Sequence, residues 1–68
     1  MKIFAERIKA LRIENNLTQP QMAKKINVSK GMISLWENDI NEPKASNIYR
    51  MCITFGVSAD YLLGITDY

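Results

Sequence analysis

The strongest constraint in this chain is a pair of helix starts separated by too little sequence for anything but a sharp turn. Thr18-Gln19-Pro20-Gln21 reads as one start, with Thr18 as N-cap, Pro20 in the first turn where a missing N–H does no harm, and Gln21 completing a capping box. Met22, Ala23 and Ile26 then face inward, and Asn27 marks the stop, because asparagine tolerates the left-handed conformation of a helix end. Only Asn27 and Val28 precede Ser29, the next N-cap, so two helices must turn sharply on each other here.

The rest of the chain divides into helices in the same way. Phe4, Ile8 and Leu11 make one face of a first helix over roughly 2–15, which Asn15-Asn16 ends. The helix after Ser29 runs from Lys30 to about Asn38, with Ile33 and Trp36 turned to the core. Asp39 to Pro43 is a polar loop. A fourth helix, about Ala45 to Phe55, carries Ile48, Met51, Cys52 and Phe55 at helical spacing and stops at Gly56; Lys44 and Ser46 compete for its start. Ser58 opens a short fifth helix with Asp60 at its positive end, Tyr61 and Leu62 packing inward, and Gly64 closing it. The sum is an all-α chain in which the second and third helices form a helix-turn-helix.

Composition narrows what such a chain does. At 68 residues, 47% hydrophobic and 24% charged, it suits one globular domain spanning 1–68, with most of its apolar side chains in one core. Met22, Trp36, Met51 and Phe55 therefore read as core rather than as a ligand pocket, and Cys52 as inert packing. No uncharged stretch exceeds nine residues, against about 20 for a spanning helix, and Glu6, Arg7 and Lys9 interrupt any signal-peptide core. No membrane association is expected, and a cytoplasmic location is. With one cysteine and no histidine, there is no intrachain disulfide and no Cys/His zinc site, and no metal or other cofactor is expected. The carboxylates are scattered, no nucleophile has a base beside it, and there is no glycine-rich phosphate loop, so the chain does not read as an enzyme. Charge is polarised: residues 1–30 hold seven basic and two acidic side chains, residues 31–68 two basic and five acidic, a split of +5 against −3. Such asymmetry hints at a polyanion-facing surface, though a solvated face produces it as well.

Leu17-Thr18-Gln19, Met22-Ala23, Val28-Ser29, Ile33-Ser34, Trp36-Glu37-Asn38, Pro43 and the run Val57 to Gly64 together resemble the Cro/phage-repressor (XRE-type) helix-turn-helix family over about residues 3–65. The resemblance implies a compact five-helix, lambda-repressor-like DNA-binding domain of a bacterial or phage transcriptional regulator, commonly a repressor, working as a homodimer on an inverted-repeat double-stranded operator. An alternative use of the fold is a protein-interaction module such as an antitoxin or anti-regulator, which Met32 and Leu35 keep open. Two residues depart from the family pattern. Asn27 stands where glycine is common, and Gly31 where a polar base-reading side chain is common.

In this motif the second helix enters the major groove by its N-terminal end. With Ile33 and Trp36 inward, Lys30, Gly31, Ser34 and Leu35 become the base-contact candidates. Lys30 can donate to guanine N7 and O6, or pair with a phosphate; Ser34 can bond several base edges or a phosphate; Leu35 can touch a thymine methyl or pack on a neighbouring helix. At Gly31 either the contact is missing or the backbone approaches DNA closely. Phosphate contacts are expected at helix N-termini, from Thr18, Gln19 and Ser29, with Asn38 and Asn41 resembling positions that hold the other strand's backbone. Lys24 and Lys25 read as solvated. Arg12 and Glu37 match a charge pair common in the family and should join the first helix to the third. Tyr61, Ile65 and Tyr68 supply apolar surface for a dimer near the C-terminus.

Overall fold

Side-chain caps set three of the five helix starts. The computed structural model describes residues Met1–Tyr68 and contains α1 (Lys2–Glu14), α2 (Gln19–Ile26), α3 (Lys30–Glu37), α4 (Ala45–Phe55) and α5 (Ala59–Leu63), with no strand. Thr18 Oγ1 accepts from the Gln21 amide while Gln21 Oε1 accepts from the Thr18 amide, a complete capping box. Ser29 and Ser58 each accept from the amide three residues on. Asn27 ends α2 at φ +59°, and its turn is closed by Val28 donating to the Ala23 carbonyl. α4 begins without a side-chain cap, at Lys44 just after Pro43, so neither Lys44 nor Ser46 performs that role.

α3 lies between α1 and α2, α5 closes against α1, and α4 rests on α2 and α5. One apolar cluster joins all five: Phe4, Ile8 and Leu11, Met22, Ala23 and Ile26, Ile33 and Trp36, Met51, and Leu62. At about 1.5–3 kcal/mol for each large side chain fully buried, this cluster is the main stabilising term. Trp36 and Phe4 meet edge to face, centroids 5.9 Å apart, the arrangement their quadrupoles favour. α4 buries less than its spacing suggests. Of its four apolar positions only Met51 is fully enclosed; Ile48, Cys52 and Phe55 are half-buried at the edge of the cluster, because five-residue α5 is too short to cover them.

The C-terminal segment is bound back onto α1 by a residue whose role the sequence does not announce. Arg7 donates to the carbonyls of Tyr61 (2.8 Å) and Thr66 (3.0 Å) and lies 4.3 Å from the Tyr61 ring centroid. Tyr61 is therefore half-buried beneath a guanidinium instead of forming free apolar surface. Gly64 permits the close approach: at φ +79° an L side chain is disfavoured, and a Cβ there would lie 2.7 Å from both Cγ atoms of Ile3.

Candidate nucleic-acid interface

The capped starts of α2 and α3 and the polar face of α3 form the candidate site. Ile33 and Trp36 are fully buried, which turns Lys30, Gly31, Ser34 and Leu35 outward; the first two are exposed and the last two half-buried. Met32, half-buried like Ser34 and Leu35, packs against the core cluster. Ser29 Oγ accepts from the Met32 amide at 3.2 Å, which leaves its hydroxyl hydrogen free to donate. The same holds for the Thr18 hydroxyl, whose oxygen is engaged by the Gln21 amide.

Gln19 and Asn38 are positioned by partners within the fold. Gln19 Nε2 donates to Glu37 Oε1 at 3.3 Å, which sets the start of α2 beside the end of α3. Asn38, exposed, closes α3 by donating from Nδ2 to the Ser34 carbonyl at 2.8 Å, so its amide nitrogen is committed to the helix end. Asn41 is exposed in the loop after α3. Lys24 and Lys25, also exposed, occupy the last turn of α2, where cations offset the negative end of the helix dipole.

Arg12 holds the frame behind this face. Its Nε donates to Glu37 Oε2 at 2.7 Å, its Nη2 to Oε1 at 3.1 Å, and its Nη1 to the Leu17 carbonyl at 3.0 Å. One side chain thus ties α1, the connection into α2 and the end of α3. The hydrogen bond that it donates to Glu37, outweighing partial burial, raises the guanidinium above its ordinary range and keeps it charged. Two further anchors are absent from the sequence reading. Arg50 reaches from α4 to the carbonyls of Ile26 and Asn27 at 3.4 Å, and the Met1 amine pairs with Asp39 at 2.7 Å.

The helix-turn-helix family model matches residues 8–62. The chain is 31% identical over 65 residues to an uncharacterized HTH-type transcriptional regulator, YobD, of Bacillus subtilis (strain 168), covering 96% of this chain and 58% of YobD. It is 37% identical over 60 residues to the HTH-type transcriptional activator BcrR of Enterococcus faecalis, covering 88% of this chain and 29% of BcrR. The chain thus spans between about a third and three fifths of these relatives. Its fold is similar to the P22 c2 repressor protein crystallised with a synthetic operator, at TM-score 0.83 and 32% identity, covering 91% of this chain and 94% of that one. With the capped turn inside the matched residues and all five helices reaching into them, the chain belongs to the helix-turn-helix family.

Proposed function

We propose that this chain binds a double-stranded DNA operator sequence-specifically and serves as the DNA-binding part of a cytoplasmic transcriptional repressor. The observation that carries the reading is the division of α3: Ile33 and Trp36 sit in the core, and the opposite side offers Lys30, Gly31, Ser34 and Leu35 at the end that enters a major groove in this motif. Lys30 and Ser34 read base edges, with Leu35 and Gly31 beside them. Thr18, Gln19 and Ser29 hold phosphates of one strand, and Asn38 and Asn41 those of the other. Because Gln19 also bonds Glu37, its phosphate contact and the placement of α3 are coupled.

The operator is an inverted repeat bound by a homodimer. Supporting this are the exposed apolar side chains of Ile65 and Tyr68 near the C-terminus and a shallow apolar groove between α4 and α5, lined by Ala45, Ile48, Tyr49, Cys52, Ala59 and Leu63. Sedimentation and binding to selected duplexes at two salt concentrations test the reading. Lys30→Ala should weaken the operator by roughly 1–3 kcal/mol and blunt preference at one base pair per half-site. Gln19→Ala should weaken all sequences alike. Selection of no sequence from a randomised duplex pool would overturn sequence-specific binding. Monomers that bind one half-site as tightly as the full repeat would overturn the dimer.

A further inference from the structure

Nothing in the fold asks for a glycine at position 31. Gly31 lies in the first turn of α3 and is not among the positive-φ glycines. A Cβ built on it would have a single neighbour within 4 Å outside its immediate surroundings, Ser29 Oγ at 3.9 Å, an ordinary contact. Gly64 shows what a required glycine looks like here, with φ +79° and Ile3 atoms at 2.7 Å. In a helix, glycine is disfavoured against every residue but proline, and Lys30 beside it sets a cation at the positive end of the helix dipole. Two consecutive residues thus work against α3 at its outward end. A local conflict that packing does not explain points to function.

The missing side chain bares the backbone of this turn. The next residues on the same face are Ser34 and Leu35, about one turn further along, and a helical leucine leans back over the turn before it. Leu35 is half-buried but does not join the apolar side chains packed against the core. The N–H groups of this first turn can hold an anion whatever side chain stands at position 31; what the missing side chain adds is room beside an apolar wall, which suits the one apolar feature of the major-groove code, the 5-methyl group of thymine. We propose that Gly31 is a specificity-determining residue: it opens a notch beside Leu35 that brings a thymine methyl against the α3 backbone, and a Cβ closes it. This assignment rests on the operator reading above.

The test compares Gly31→Ala and Gly31→Val with the unaltered protein on an operator selected from an unmethylated synthetic pool, where thymine is the only source of the methyl. Each thymine is then replaced in turn by deoxyuridine. Gly31→Ala should raise Tm by about 4–8 °C. It should also bind the operator about fivefold more weakly or worse, with Gly31→Val weaker still and non-specific duplex binding unchanged. One deoxyuridine per half-site should weaken the unaltered protein and leave Gly31→Ala indifferent. Operator binding as tight as the parent's in both variants would overturn the notch. Weakened variants with no deoxyuridine-sensitive position would overturn the methyl assignment. If the unaltered protein prefers no sequence, it is the operator reading that fails, and this inference falls with it.

Discussion

Truncating Arg12 while Glu37 stays in place is expected to destabilise the fold by about 3 kcal/mol. The Glu37 side chain is 5% exposed and Arg12 16%, and the pair is bidentate at 2.7 and 3.1 Å. In Arg12→Met the carboxylate keeps one weak partner, the Gln19 amide at 3.3 Å, and the Leu17 carbonyl loses its donor. Stranding a buried charge costs about 3–5 kcal/mol, and the low end applies because water can enter where the guanidinium was. Against a total stability of roughly 3–10 kcal/mol for a chain of this length, the loss would lower Tm by about 12–24 °C. Trp36, the only tryptophan and 1% exposed, reports unfolding in urea by its fluorescence. Removing both charges in Arg12→Met/Glu37→Leu should restore stability to within about 1 kcal/mol of the parent, giving a coupling energy of about 2 kcal/mol or more. Single variants that each cost under about 1 kcal/mol and add in the double would refute the reasoning, because that is how an exposed pair behaves.

Asn27→Ala should cost about 1 kcal/mol, and Asn27→Gly almost nothing, because the site needs φ +59° and not the amide; urea midpoints decide between these. Arg7→Met should cost about 2 kcal/mol and speed amide exchange across residues 64–68, and the salt dependence of DNA binding should not change, because Arg7 is engaged by carbonyls and not by phosphate. The Met1 amine, raised above its ordinary 8.0 by the hydrogen bond to Asp39, contributes stability that is complete below pH 8 and fades as pH rises through the higher folded value. Titration of that amine by NMR in Asp39→Asn should return it to the ordinary range.

Helix boundaries were legible wherever a side chain makes them. Thr18, Ser29, Ser58, Asn27 and Gly64 act within four residues of themselves, so local chemistry is enough to place them. The start of α4 was not legible, since no side chain caps it. The outward face of α3 followed by subtraction, once Ile33 and Trp36 were assigned to the core. The partners of Gln19, Arg7 and Arg50 could not follow that way, because they lie 18 to 59 residues away and for both arginines are backbone carbonyls, which look alike in any sequence. Arg7 did leave one trace: it stands three residues after Phe4 and four before Leu11, on the buried edge of α1.

Those arginines also change what the polarised charge means. The first thirty residues carry seven cations, but Arg12 is neutralised by Glu37 from the acidic half and Arg7 is turned to the C-terminal segment. Part of the asymmetry is therefore an internal bond between the two halves of the chain, written along the sequence as if it were a surface field. The cations left exposed there are Lys2, Lys9, Lys24, Lys25 and Lys30, and only Lys30 stands on the outward face of α3. In the proposed reading, non-specific attraction to a polyanion rests on the other four, Lys2, Lys9, Lys24 and Lys25, each a point charge on a flexible stem. Discrimination in that reading comes from Lys30 together with the fixed parts of the surface, the α3 backbone at Gly31, Ser34 and Leu35, held in place by the three-way tie among Arg12, Glu37 and Gln19.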